Sequence, residues 1–131
     1  MSKILVIDDN QLFLEGLLEL LEYQGFQAIG ALNGSWGWQL AQETSPDLIT
    51  CDLEIRNFSI YELLSRVRKT PLIERIPVMV IAAERTESYR EKILSLGASD
   101  YLTKPFLVER FLQGIHTLLE ETEIPVKIKQ I

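Results

Sequence analysis

The chain has 131 residues, of which 47% are hydrophobic and 24% charged, and its formal net charge at pH 7 is −6. This length and composition are sufficient for one domain with a buried core. The acidic charge opposes binding to nucleic acid or to an anionic membrane, because both require a basic surface. No apolar run is as long as a membrane span, and the N-terminus lacks the features of a signal peptide, so the sequence predicts a cytoplasmic protein.

Short apolar runs alternate with amphipathic segments along the chain. The first run, residues 4–7, is typical of a parallel strand that is covered on both faces. In the next segment, residues 10–24, the apolar positions recur at helical spacing, with Asn10 as an N-cap and Gly25 placed to end the helix. The pattern continues with strands at 26–32, 47–50, 77–82 and 100–102 and with helices near 35–44, 59–69, 86–95 and 106–121.

This alternation predicts an α/β fold. Parallel strands need a crossover that passes over a face of the sheet, so helices cover both faces. We therefore expect a doubly wound, five-stranded parallel sheet within a single domain, residues 1–122. Residues 123–131, which include Pro125, are expected to form a C-terminal tail or the start of a linker.

Charged residues follow three of the predicted strands. Asp8 and Asp9 follow the first strand, Asp52 the third and Lys104 the fifth. Ligands of open α/β sheets bind at this edge, and three carboxylates that meet in one crevice repel one another unless a cation compensates. Oxygen ligands without His or Cys favour Mg²⁺, and Lys104 suits a phosphoryl group whose oxygens need neutralising.

Asp52 is the candidate nucleophile of this crevice. The chain has no Gly-rich phosphate loop, no G-x-S-x-G motif and no cysteine at the expected crevice. A carboxylate can attack phosphorus to give an aspartyl phosphate, and a metal ion offsets the repulsion between the two anions. The residues therefore predict phosphoryl transfer to Asp52.

Three motifs resemble the receiver domain of two-component response regulators: IDD at 7–9, CDL at 51–53 and GASDYLTKPF at 97–106. The resemblance covers nearly the whole chain and implies a flavodoxin-like sheet with strand order 2-1-3-4-5. It implies a signalling module rather than an enzyme, with a sensor histidine kinase or a phosphotransfer protein as phosphoryl donor. The output would go to a downstream protein or a fused effector domain, and dimerisation stays open.

The resemblance also implies a ligand set for Mg²⁺. Asp9, Asp52 and the backbone carbonyl of Glu54 would hold the ion, and Asp8 would act largely through water.

Further residues match the phosphate contacts and the switch of the family. Lys104 and the backbone of Ala83 would contact the phosphoryl group, and the peptide bond between Lys104 and Pro105 would be cis. Tyr101 matches an aromatic residue that turns inward on activation, whereas Ala82 stands where typical receivers carry Thr or Ser. A lost hydrogen bond to a charged group costs on the order of 1.5 to 3 kcal/mol, so we expect weakened coupling between phosphorylation and Tyr101.

The loop sequence LEIRNFSI, residues 53–60, lacks the usual Met-Pro and Asp-Gly pattern of the family. Arg56 is expected to point into solvent, and the alternative is a charge beside the phosphate. Glu54 and Glu84 are either solvated acids or residues that tune phosphoryl loss.

Two other functions remain. A pseudo-receiver would bind proteins without phosphorylation. Ala82 and the altered loop keep this alternative open, whereas the intact acids and Lys104 favour the phosphorylated receiver. A flavodoxin-like cofactor protein is disfavoured, because the carboxylates of Asp8 and Asp9 would face an anionic ligand. Paired aspartates after a strand can also be mere turn formers or helix caps.

Overall fold

The computed structural model describes residues 1–83 and 86–129. In this part of the chain five strands alternate with five helices. The strands are Lys3–Ile7 (β1), Gln27–Ala31 (β2), Leu48–Asp52 (β3), Val78–Ala82 (β4) and Asp100–Thr103 (β5). The helices are Gln11–Tyr23 (α1), Gly34–Thr44 (α2), Ile60–Lys69 (α3), Glu87–Ser95 (α4) and Val108–Lys129 (α5).

The strands form one parallel sheet in the order β2-β1-β3-β4-β5. This confirms the predicted doubly wound fold and the strand order that the resemblance implies. Ile7 is paired with Cys51, and Asp52 with Ile81, so β1, β3 and β4 end at the same edge of the sheet. The residues that directly follow these strands are thereby brought together.

Apolar side chains fill a layer on each face of the sheet. One layer joins the sheet to α1 and α5 and includes Leu17 and Phe111. The other joins it to α2, α3 and α4 and includes Ala41, Leu64 and Ile93. All five residues of β4 are buried, as are all five of β3. The continuous apolar runs of the central strands therefore reflect burial on both faces.

Polar caps fix the helix starts near this edge. The side chain of Asn10 accepts a hydrogen bond from the Phe13 N–H at 3.1 Å, and Asn33 accepts one from the Trp36 N–H at 2.7 Å. Asn10 is thus the N-cap that the sequence predicts. Gly25, just after α1, has a φ of 95°, a conformation that favours glycine.

Arg68 connects two loops at the end of the sheet opposite to this edge. Its guanidinium donates to the carbonyl oxygens of Gly97 (2.6 Å), Ile76 (2.6 Å) and Glu74 (3.2 Å) and to the Ser99 hydroxyl (3.3 Å). A single side chain of α3 therefore links the α3–β4 connection to the α4–β5 connection.

Helix α5 is longer than predicted. It continues to Lys129, whereas the sequence predicts an end near residue 121 and a tail or linker over 123–131. The continuation, residues 122–129, contains Pro125 and several β-branched residues, which are weak helix formers, so its composition did not predict the longer helix. Where the domain ends stays a prediction, and residues 130 and 131 lie outside the described part. No helix of the described residues has the length and apolar character needed to cross a membrane.

Candidate functional site

Two buried carboxylates lie at the carboxyl edge of the sheet. Asp8 directly follows β1 and is 2% exposed, and Asp52 ends β3 and is 6% exposed. The buried apolar strands β1 and β3 fix the positions of both side chains at the bottom of the crevice. Buried carboxylates need partners, so the groups around them determine what the site can do.

Asp52 is held from two sides. One carboxylate oxygen, Oδ1, accepts the Glu54 N–H at 2.7 Å, and the other, Oδ2, is 2.5 Å from Lys104 Nζ. Lys104 directly follows β5. Its position is fixed because its own N–H continues the pairing with β4 by donating to the Ala82 carbonyl at 2.8 Å. The cis peptide bond between Lys104 and Pro105, which the resemblance implies, is present.

Asp8 shares the positive charge of Lys104. Its Oδ1 accepts the Asn10 N–H at 2.9 Å, and its Oδ2 lies 3.8 Å from Lys104 Nζ. Burial, together with the charge of Asp52, raises the pKa of Asp8 to about 6, although the Asn10 N–H and Lys104 act in the opposite direction. One lysine therefore does not fully compensate two buried carboxylates.

Asp9 is paired with Arg56. Its Oδ2 accepts the Arg56 backbone N–H at 3.1 Å and lies 3.3 Å from the guanidinium Nε. The backbone N–H of Arg56, and then its guanidinium, hold the pKa of Asp9 below its usual value. The Arg56 side chain is 85% exposed, so it lies in solvent as expected and also forms an ion pair that the sequence did not predict.

Glu54 reaches across the crevice to β4. Its Oε1 accepts the backbone N–H of Ala83 at 3.1 Å. This N–H is the one that the resemblance assigns to the phosphoryl group. Glu84, the other predicted tuning residue, lies outside the described residues.

The donor atoms of the crevice fit Mg²⁺ chemically. Asp8 and Asp52 offer hard oxygen ligands with incompletely compensated negative charge, and a nearby backbone carbonyl, that of Glu54, is of the same type. Within residues 1–83 and 86–121, no three His, Cys, Asp or Glu side chains lie together as a metal-binding group. Asp9, the third carboxylate, contacts Arg56 instead.

The predicted switch residues lie in one apolar cluster. Ala82 is fully buried, Tyr101 is 4% exposed, and both belong to the layer that includes Val80 and Ile93. The Tyr101 ring therefore occupies an inward position. Whether Ala82 weakens its coupling to phosphorylation stays a prediction.

An apolar groove beside Lys104 was not predicted from the sequence. It lies between α1 and the start of α5, has a volume of about 740 Å³, and is lined by Leu12, Phe13, Phe106 and Val108 among others. Leu12, in the first turn of the amphipathic helix α1, is 82% exposed although it is apolar. An apolar residue on the polar face of α1 was the available signal.

The strand order and the acidic edge define a flavodoxin-like α/β domain with its site at the topological switch point. Residues 4–116 match the family model of the response regulator receiver domain. The chain belongs to this family, which makes it a receiver domain of the two-component response regulator type and confirms the resemblance seen in its motifs.

Relatives of two lengths share this domain. The polar-differentiation response regulator DivK of Brucella anthropi is 29% identical over 118 residues, which are 90% of this chain and 96% of DivK. The DNA-binding dual master transcriptional regulator RpaA of Synechocystis is 33% identical over 123 residues, which are 94% of this chain and 51% of RpaA. The chain thus spans nearly all of one relative and about half of the other.

Solved structures show the same fold. The receiver domain of a Francisella response regulator is 25% identical, with a TM-score of 0.86 over 93% of this chain and 99% of that one. A response regulator structure from Chloroflexus aurantiacus is 28% identical, with a TM-score of 0.84 over 91% of this chain and 98% of that one.

Proposed function

We propose that Asp52 accepts a phosphoryl group from a sensor histidine kinase or a phosphotransfer protein, in a reaction that needs Mg²⁺. The supporting observation is the fixed position of the Asp52 carboxylate between the Glu54 N–H and Lys104. A buried carboxylate with a lysine on one oxygen has the charge and the orientation of an acceptor that receives an anionic group.

The transfer forms one bond and breaks one. An Asp52 carboxylate oxygen bonds to phosphorus while the bond from phosphorus to the donor histidine nitrogen breaks, and the imidazole keeps that electron pair. Lys104, which contacts the Asp52 carboxylate at 2.5 Å, neutralises charge on the phosphoryl oxygens. Asp8, Asp9, Asp52 and the Glu54 carbonyl would hold Mg²⁺, whose charge offsets the repulsion between nucleophile and donor.

The apolar groove suits the approach of a protein donor. It is lined by Lys104 as well as by Leu12 and Val108, so a donor helix seated there would bring its histidine to the mouth of the crevice. We propose this groove as the docking site of the kinase or phosphotransfer protein. The output then passes, in the cytoplasm, to a downstream protein or a fused effector domain.

Intact mass spectrometry tests the proposal. The protein is incubated with acetyl phosphate and Mg²⁺, and the same incubation is run with Asp52→Asn, with EDTA, and with Asp47→Asn as a matched control at the other end of β3. We expect one phosphoryl addition in the wild type and in Asp47→Asn, and none in Asp52→Asn or with EDTA. No addition to the wild type would favour the pseudo-receiver, a binding module that works without phosphate.

A further inference from the structure

The β3–α3 loop, residues 53–59, places two opposite charges on the two ends of the crevice. The Arg56 guanidinium lies 3.3 Å from the carboxylate of Asp9, on the metal side. The Glu54 carboxylate accepts the Ala83 N–H at 3.1 Å, on the phosphate side. A cation thus lies against a carboxylate that would hold the metal ion, and an anion accepts the N–H that a phosphoryl oxygen would use.

Apolar contacts hold the loop in this position. Ile55, between the two charged residues, is 5% exposed and belongs to the core. The Phe58 ring lies against Gly34 so closely that a Cβ there would be 1.8 Å from it. The backbone of the loop is therefore fixed, whereas the charged end of Arg56 is largely in solvent and free to move away.

We propose that Arg56 and Glu54 close the crevice by occupying groups that its two ligands would use, Arg56 the Asp9 carboxylate that would hold the metal ion and Glu54 the Ala83 N–H that would bind a phosphoryl oxygen. This inference rests on the proposed function, because it assumes that Mg²⁺ and a phosphoryl group bind there. Both side chains have to leave their partners before the ligands bind.

Competition follows from charge and from hydrogen-bonding capacity. A guanidinium and Mg²⁺ on the same carboxylate repel each other, so Arg56 lowers the affinity of the site for Mg²⁺. The Ala83 N–H carries a single hydrogen, so it cannot fully serve the Glu54 carboxylate and a phosphoryl oxygen together. Glu54 also repels an incoming anion.

The cation half is tested by calorimetric titration of the protein with Mg²⁺ alone. Arg56→Ala is compared with Arg75→Ala, which removes the same charge from an exposed position at the opposite end of the sheet. An exposed ion pair is worth up to about 1 kcal/mol, so we expect Arg56→Ala to bind Mg²⁺ about two- to fivefold more tightly than the wild type. Equal affinities of the two variants would overturn this half.

The anion half is tested with fluoroberyllate, a phosphoryl analogue, at saturating Mg²⁺, with binding followed by fluorine NMR. We expect Glu54→Ala to bind it about three- to tenfold more tightly, and Glu54→Gln, which keeps an acceptor but loses the charge, to fall between. Glu91→Ala, an exposed acid on α4, is the matched control and should leave the affinity unchanged. Wild-type affinity in Glu54→Ala, or no binding by any variant, would overturn this half.

These results are separable from failure of the proposed function. If Arg56→Ala tightens Mg²⁺ binding but Asp52 gains no phosphoryl group in any variant, the closure at Asp9 stands and phosphotransfer fails. If Asp52 is phosphorylated but neither variant changes an affinity, phosphotransfer stands and the closure is wrong.

Discussion

Replacing Asp8 with Asn should stabilise the protein at neutral pH. Asn has nearly the same shape and keeps the oxygen that accepts the Asn10 N–H. It removes a negative charge that burial and Asp52 disfavour. The expected gain is therefore the cost of holding the Asp8 carboxylate ionised in the folded protein.

The raised pKa gives the size of this cost. The pKa of Asp8 is raised from 3.8 to about 6, and each pKa unit is worth about 1.36 kcal/mol, so the cost is about 3 kcal/mol at pH 7.5. The pKa of Asp8 is higher in the folded than in the unfolded protein. The contribution of Asp8 to the free energy of unfolding is therefore fully present below pH 3.8 and is lost as the pH rises through 6. The advantage of Asp8→Asn should fall to about half at pH 5 and to about a fifth at pH 4.

Urea unfolding at pH 7.5 and pH 5, without divalent metal, measures this difference. The matched control is Glu91→Gln, which loses the same charge from an exposed position of α4 and should change stability little at either pH. An Asp8→Asn protein that is no more stable than the wild type at pH 7.5 would show that the ionised Asp8 carboxylate is not destabilising. A gain that does not shrink at lower pH would show that it does not come from the ionisation of Asp8.

Four further substitutions test the packing. Arg68→Ala should lower the free energy of unfolding by about 2 to 3 kcal/mol in urea titration, because several carbonyl oxygens, including that of Gly97, lose a charged donor; a loss below about 0.5 kcal/mol would contradict this role. Ala82→Thr adds two heavy atoms at a fully buried position and should cost about 1 to 3 kcal/mol, and a wild-type urea midpoint would argue against a tight cluster. Gly34→Ala should lower the melting temperature by displacing Phe58, whereas Gly16→Ala, with nothing within 4 Å of its added Cβ, should raise it slightly; equal shifts would show that Phe58 yields freely.

The sequence predicts the architecture because burial leaves a periodic pattern. The apolar run before Asp52 and the run that ends at Ala82 are continuous since both faces of β3 and β4 are covered. In a parallel sheet the ends of such strands share one edge, so the convergence of Asp8, Asp52 and Lys104 follows from the element order alone.

The contacts of the loop could not be predicted in this way. Arg56 is 47 residues from Asp9, and Glu54 is 29 residues from Ala83. An irregular loop has no periodicity that fixes the direction of its side chains, and its path depends on a tertiary contact, that of Phe58 with Gly34. The sequence therefore predicts that Arg56 lies in solvent, but it does not predict the ion pair of Arg56 with Asp9.

Phosphoryl transfer to Asp52 is tested by identifying the phosphorylated residue. After incubation with acetyl phosphate and Mg²⁺, borohydride reduces an aspartyl phosphate to homoserine, and tandem mass spectrometry of the peptides locates the change. We expect homoserine at position 52 and unmodified aspartate at Asp8 and Asp9. Homoserine at another aspartate, or none in any peptide, would contradict this expectation.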